Sequence, residues 1–167
     1  RALADPWKAT KIANLALQLL GVSRKLESLT QDHPNARTLN LAFEPTRRAL
    51  LRSYDWSFAI KRASIAEDGD SPTWGDWNQY SLPNDFVRLI RDDETGINVD
   101  WKVEGLFILS RTTAPLEIRY IADIEDPNSF DDLFVEAFVA KLAYQCCEEI
   151  TQSTSKMANA KVVFDDA

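Results

Sequence analysis

Chemistry needs side chains that converge on a point, and this chain offers few that could. Its one histidine, His33, stands beside Pro34 at a helix start, with no Cys or His at metal-ligand spacing. It reads as a capping or surface group. Cys146 and Cys147 are adjacent; on a helix they point about 100° apart, and neighbouring cysteines rarely close a disulfide. They read as small, reduced, buried helix residues. Carboxylates pair at Asp68/Asp70, Asp92/Asp93/Glu94, Asp131/Asp132, Glu148/Glu149 and Asp165/Asp166. Acid–base or metal work requires carboxylates that face one another, whereas neighbours on a helix diverge and an acidic turn is ordinarily solvated. Asp92–Glu94 lacks the alternating ligands of a calcium loop and would hold a cation loosely at best. With only five glycines there is no phosphate loop, and no Gly-x-Ser-x-Gly elbow occurs. No catalytic, cofactor-binding or metal residue is expected, and the chain does not read as an enzyme.

Contact residues are better represented than catalytic ones. Trp74 and Trp77 lie in a loop with Gly, Asp and Asn, where they either fold back over a sheet edge or offer apolar area with a polar handle to another chain. Arg37, Arg47, Arg48, Arg52, Lys61 and Arg62 make residues 34–65 locally basic; they form either a solvated helix face with intrahelical ion pairs or a surface for an acidic partner. Arg47, Arg48, Arg52, Trp74, Trp77, Lys156 and Phe164 are the candidate protein-interface residues.

These residues sit in an acidic chain of 167 residues with a net charge of −7. That balance disfavours general DNA or RNA binding and suits a protein that lets DNA pass without holding it. The length allows one domain with a real core. No apolar run reaches the roughly 18–20 residues that span a bilayer, and no signal peptide is expected. The first residue is Arg1 rather than Met, as in a chain trimmed from its native start.

The elements that must position these groups follow from periodicity. Ile12, Leu15, Ala16, Leu19 and Leu20 have helical spacing, with Gly21 as the stop. After a polar connection over 22–33, a second helix starts near Asp32-His33-Pro34, capped by Asp32, and runs with a kink at Pro45 to about Ser53. Leu39, Ala42, Phe43, Leu50 and Tyr54 form its apolar stripe, with Arg37, Glu44, Arg47 and Arg48 mostly elsewhere. Alternation at Trp56, Phe58 and Ile60 predicts a strand. Pro83-Asn84-Asp85 separates two short strands within 79–91; Val99, Trp101 and Val103 pair across Glu104-Gly105 with Leu106–Leu109; Leu116, Ile118 and Tyr120 mark a last strand. The longest helix spans 129–150, capped by Asp126 or Ser129. Its polar residues are spread around the axis, so it must be buried on several faces, more than its own subunit readily supplies. Residues 155–165 add a last helix with Met157, Ala160, Val163 and Phe164 as its stripe. The expected fold is one α+β domain, 1–167: a bundle of about four helices (8–54 and 127–167) with a small antiparallel β-sheet inserted between the second and third helices (55–124).

Several segments, in order, resemble the tail tubular protein A family of short-tailed bacteriophages. An Arg- and Leu-rich helix runs into Trp56-Ser57-Phe58-Ala59, followed by Lys61-Arg62-Ala63. Tyr80-Ser81-Leu82-Pro83-Asn84-Asp85-Phe86 with Arg88-Leu89 is similar to the family's Leu-Pro-x-Asp strand start. Leu116–Ile121 precedes Asp126-Pro127, and Phe130-Asp131-Asp132-Leu133-Phe134 opens a helix continuing through Glu136-Ala137-Phe138 and Lys141-Leu142-Ala143. The likeness runs from about residue 10 to the end; the loop 67–78 and Pro45 match nothing in it. It implies a virion protein, the head-to-tail adaptor, assembled in the host cytoplasm as a homo-oligomeric ring, typically of twelve copies. Such a ring sits between portal protein and tail nozzle protein, with DNA as passing cargo, no membrane and no cofactor. A closed ring needs two different complementary faces, for which the basic stretch 34–65 and the acidic residues 125–167 are candidates. The competing reading is a small α+β binding or regulatory module with a single protein partner.

Overall fold

A computed structural model of the chain describes residues 6–91, 100–151 and 161–166. It is an α+β structure whose chain divides into two compact units, Arg1–Tyr54 with Ile124–Ala167, and Asp55–Asp123.

The helical unit is built on α1 (Pro6–Leu19), α2 (Pro34–Ser53) and α3 (Asp132–Thr151), with a further helical segment at 161–166. Gly21 ends α1 at φ 77°. There the Val22 amide reaches the Leu17 carbonyl at 2.9 Å and the Gly21 amide the Gln18 carbonyl at 3.0 Å, a Schellman closure that a left-handed glycine makes without strain. The connection that follows is pinned by Asn14, whose side chain both donates to the Leu26 carbonyl (2.9 Å) and accepts from the Leu26 amide (2.7 Å). Asp32 does not cap α2. His33 does, its Nδ1 accepting from the Asn35 amide at 3.1 Å, while Asp32 pairs with Arg37 at 2.5 Å. Helix α2 runs unbroken through Pro45. Proline removes the amide that would bond to the Leu41 carbonyl; Leu41 and Pro45 both lie on the exposed side.

Neither Asp126 nor Ser129 caps α3. Asp126 starts a separate 3-10 turn, Pro127–Ser129, by accepting from the Asn128 amide at 3.0 Å. The α3 start is served by Asp131, which accepts from the Leu133 amide at 3.0 Å. Helix α3 packs against both α1 and α2. Phe43, Phe130, Phe134 and Phe138 form the aromatic centre, with Phe43 and Phe138 rings 4.9 Å apart. Eight residues of α3 are buried, so its apolar excess over what its own unit covers is smaller than its composition suggests. The reason is that the chain supplies a helix on each of two sides. Leu133 (68% exposed) and the half-buried Val135 and Val139 remain.

The β unit holds two three-stranded antiparallel sheets rather than one. The first has the order β1-β6-β3, from β1 (Ile60–Ile65), β3 (Phe86–Ile90) and β6 (Leu116–Ala122); the second has the order β2-β5-β4, from β2 (Asn78–Ser81), β4 (Trp101–Glu104) and β5 (Phe107–Ser110). Strand β6 is central, pairing Ile60 with Ile121 on one side and Leu89 with Tyr120 on the other. The alternation at Trp56–Ile60 belongs to a strand only at its last residue, since Ser57–Ala59 form a 3-10 turn. Val99 and Asp92–Glu94 lie outside the described residues, as do Met157 and Ala160. The β4–β5 hairpin closes through Gly105 at φ 59°, a conformation that favours glycine.

Candidate protein-interaction surfaces

In the helical unit the basic residues of α2 part company. Arg47 is 1% exposed, the reverse of the surface charge its type suggests. It follows Phe43 by four positions and precedes Leu50 by three, which places it on the inward face of α2. Its guanidinium donates to the Ile124 carbonyl at 2.7 Å and to Glu44 at 2.6 Å. It therefore braces the interior of its own unit and is not a surface charge. Arg48 and Arg52 stay exposed. With Leu41 (82% exposed) and Pro45 they share one side of α2, since positions 41, 45, 48 and 52 fall within a narrow arc at 100° per residue.

A second feature of this unit is a groove of about 520 Å³ between α1 and α3. Leu15 and Leu19 form one wall, Val135, Val139 and Ala140 the other, and Val163 adds to the lining. Asp132, Glu136 and Gln18 supply its polar atoms, and none of the described lining residues is basic. Phe164 is half-buried beneath Lys141, whose Nζ lies 5.3 Å from the ring. Lys156 lies outside the described residues. Deeper in the unit, burial and then the charge of Glu149 push the Cys146 thiol up to about 11; both cysteines are buried and free of disulfides.

In the β unit the two loop tryptophans take different roles. Trp77 is half-buried, flanked by Arg111 (4.1 Å from the ring to Cζ) and Lys102 (4.7 Å to Nζ). Trp74 stands 85% exposed. Both line a shallow depression of about 300 Å³ with Gln79, Glu104 and Phe107. Gly75 makes this loop possible: its φ is +95°, and a Cβ there would come within 2.9 Å of Trp77 Cδ1. Asp68 anchors the loop to β2, its amide donating to the Gln79 carbonyl at 2.8 Å and its carboxylate accepting from Gln79 Nε2 at 3.1 Å.

The Leu82–Phe86 segment forms a polar corner on the first sheet. Asp85 accepts from Lys61 Nζ of β1 and from the Tyr120 hydroxyl of β6, both at 2.7 Å, and its carbonyl accepts from the Asp123 amide at 2.7 Å. Phe86 stacks on Tyr120 at 6.0 Å. Burial alone would raise the Asp85 pKa, but the hydrogen bonds from Lys61 and Tyr120 hold it below the usual carboxylate range. Burial, then the hydrogen bond and charge of Asp85, drive Tyr120 up to about 12. An ionised, fully engaged carboxylate beside a neutral phenol has no proton to exchange at neutral pH; the arrangement ties strands together. The sequence marks this segment as a turn between two strands and as part of the resemblance, but not as a polar cluster, because the Lys61–Asp85–Tyr120 set is assembled from three distant places in the chain.

No family model and no curated protein matches this sequence. Among the described residues no group of three or more His, Cys, Asp or Glu side chains is placed to hold a metal ion. No described helix is long and apolar enough to cross a membrane.

Proposed function

We propose that the chain is a head-to-tail adaptor of a short-tailed bacteriophage, one segment of a ring between portal and tail nozzle through which DNA passes. The observation that carries this reading is where the family-like segments fall. Trp56–Ala59 is the exit from α2 into the β unit, Leu82–Phe86 is the polar corner that joins β1, β3 and β6, and Phe130–Phe134 opens α3 and supplies its aromatic centre. Three of the resembling segments thus occupy joints of the chain, where a shared architecture would constrain sequence most, and the others lie along helices and strands, β6 and α3 among them. The acidic balance of −7 is compatible with DNA transit without retention.

The test is reconstitution. The purified chain, mixed with the portal protein encoded in the same genome, is expected to form a ring-shaped collar on the portal visible by particle imaging. Failure to bind the portal across a range of salt and concentration would remove the adaptor reading. The single-partner module gains from one observation, the bare indole of Trp74; a discrete one-to-one complex with a cellular or viral protein, and no ring, would favour it.

A further inference from the structure

The helical unit carries two surfaces that differ in kind and match in chemistry. The groove between α1 and α3 has an apolar floor and a rim that includes Asp132 and Glu136, with no basic residue among its described lining. The outer side of α2 presents Leu41 as an apolar knob, Pro45 one turn on, and Arg48 and Arg52 in line beyond it. The segregation extends through the unit. Residues 1–54 hold nine Lys and Arg against four Asp and Glu, whereas residues 124–167 hold nine Asp and Glu against three Lys. An acidic-rimmed apolar groove selects an amphipathic helix with basic flanks, read at i, i+4, i+7 and i+11. This chain's own α2 has that pattern, on the side turned away from its packing partner α3.

We propose that the α1/α3 groove receives α2 of a second copy of this chain, Leu41 and Pro45 entering the groove and Arg48 and Arg52 meeting Asp132 and Glu136. The two surfaces are different, so the contact is heterologous. Each copy that fills a groove leaves its own groove open, and the association propagates until it closes on itself. This deepens the ring reading by naming the faces, and rests on that reading for closure. The contact itself needs only two copies. The charges on this side of α2 are Arg48 and Arg52, which are exposed, whereas Arg47 is buried on the opposite side.

Site-specific cross-linking tests it in the intact chain. Pro45→Cys and Gln18→Cys place thiols on the α2 face and the groove rim while sparing Leu41 and the apolar floor. The native Cys146 and Cys147 are buried and stay silent toward a short bis-maleimide. The double variant should give a ladder of dimers, trimers and longer species, and a mixture of the two single variants should give dimers only. Adding Arg48→Glu with Arg52→Glu should cut the cross-linked yield roughly tenfold, and adding Asp132→Lys with Glu136→Lys to that chain should restore it. Near-UV circular dichroism confirms that each variant is folded. A double variant that stays monomeric, a ladder insensitive to the charge reversals, or dimers from the Pro45→Cys variant alone would each overturn the proposal. A collar on the portal whose copies do not cross-link at these positions removes this contact and leaves the adaptor reading. A charge-sensitive ladder without portal binding does the opposite.

Discussion

Arg47 and Ile124 are joined by a hydrogen bond of 2.7 Å across 77 residues of sequence. The bond ties the middle of α2 to the point where the chain re-enters the helical unit after the β unit. A guanidinium is rarely buried unless its donors are met, and here Glu44 meets others from one turn before. Glu44 is itself half-exposed, so the pair keeps one foot in water and avoids the full desolvation cost of a buried ion pair.

The first prediction concerns that brace. Glu44→Ala would take away the carboxylate to which Arg47 Nε and Nη2 donate and should cost about 3 kcal/mol in urea denaturation. Arg47→Met fills the space without the charge; it loses the bond to the Ile124 carbonyl and the pairing with Glu44, but leaves that half-exposed carboxylate to water, and should cost less, about 1–2 kcal/mol. If Glu44→Ala proves as mild as a surface substitution, the guanidinium has other support and the bracing role is overstated.

How far the sequence reveals this depends on range. The helices were legible because their signal is local: apolar residues at i, i+3 and i+4, with Pro34 and Gly21 as punctuation. The same rule held the sign that Arg47 points inward, since it shares a stripe with Phe43, Leu50 and Leu51; residue type argued the other way and spacing decided. The strand segments were legible, and so was the β4–β5 hairpin across Glu104-Gly105, but the partners that lie far apart in sequence were not. β2 and β3 are neighbours in sequence and belong to different sheets, and alternation within a strand says nothing about which strand lies beside it. Four residues from Trp56 alternate whether they form a strand or a 3-10 turn. The Lys61–Asp85–Tyr120 corner and the cations flanking Trp77 are products of pairing between distant segments. The α1/α3 groove is legible only once α3 is known to lie against α1.

The polar corner makes stability depend on pH at both ends. Asp85 has a folded pKa below its unfolded value, so its contribution is complete above about 3.9 and is lost as pH falls through the lower, folded value. Tyr120 is shifted the other way, to about 12. Its contribution is complete below about 10 and is lost as pH rises from there toward 12. Tyr120→Phe should cost about 1 kcal/mol at neutral pH and flatten the decline of stability above pH 10. Thermal melts across pH 3–12 would show both limbs; an unchanged alkaline limb in Tyr120→Phe would assign that loss elsewhere, Tyr80 being the other tyrosine whose burial raises its pKa.

Cys146 provides a clock for opening of the helical unit. Its thiol, pushed up to about 11 and buried, is almost entirely protonated at neutral pH, and the thiolate is the reactive form. Alkylation in native buffer should be far slower than for a free thiol and should accelerate in proportion to the open population as urea is added. Rapid labelling without denaturant would mean that α3 parts from α2 at little cost.

The Trp74–Trp77 loop should be sensitive at the residue between them. Gly75→Ala introduces a Cβ at a left-handed φ of +95° and within 2.9 Å of Trp77 Cδ1, against a side chain flanked by Arg111 and Lys102. The backbone penalty alone is about 1–2 kcal/mol. Because Trp77 is half-buried and Trp74 is already bare, the optical consequence should come from Trp77. Its emission should shift to longer wavelength as the ring leaves its cations, and Trp74→Phe in the same background should not remove that shift. Trp77→Phe should remove it. An emission spectrum unchanged by Gly75→Ala would mean that the loop accommodates the methyl without moving Trp77, and that glycine there serves the turn alone.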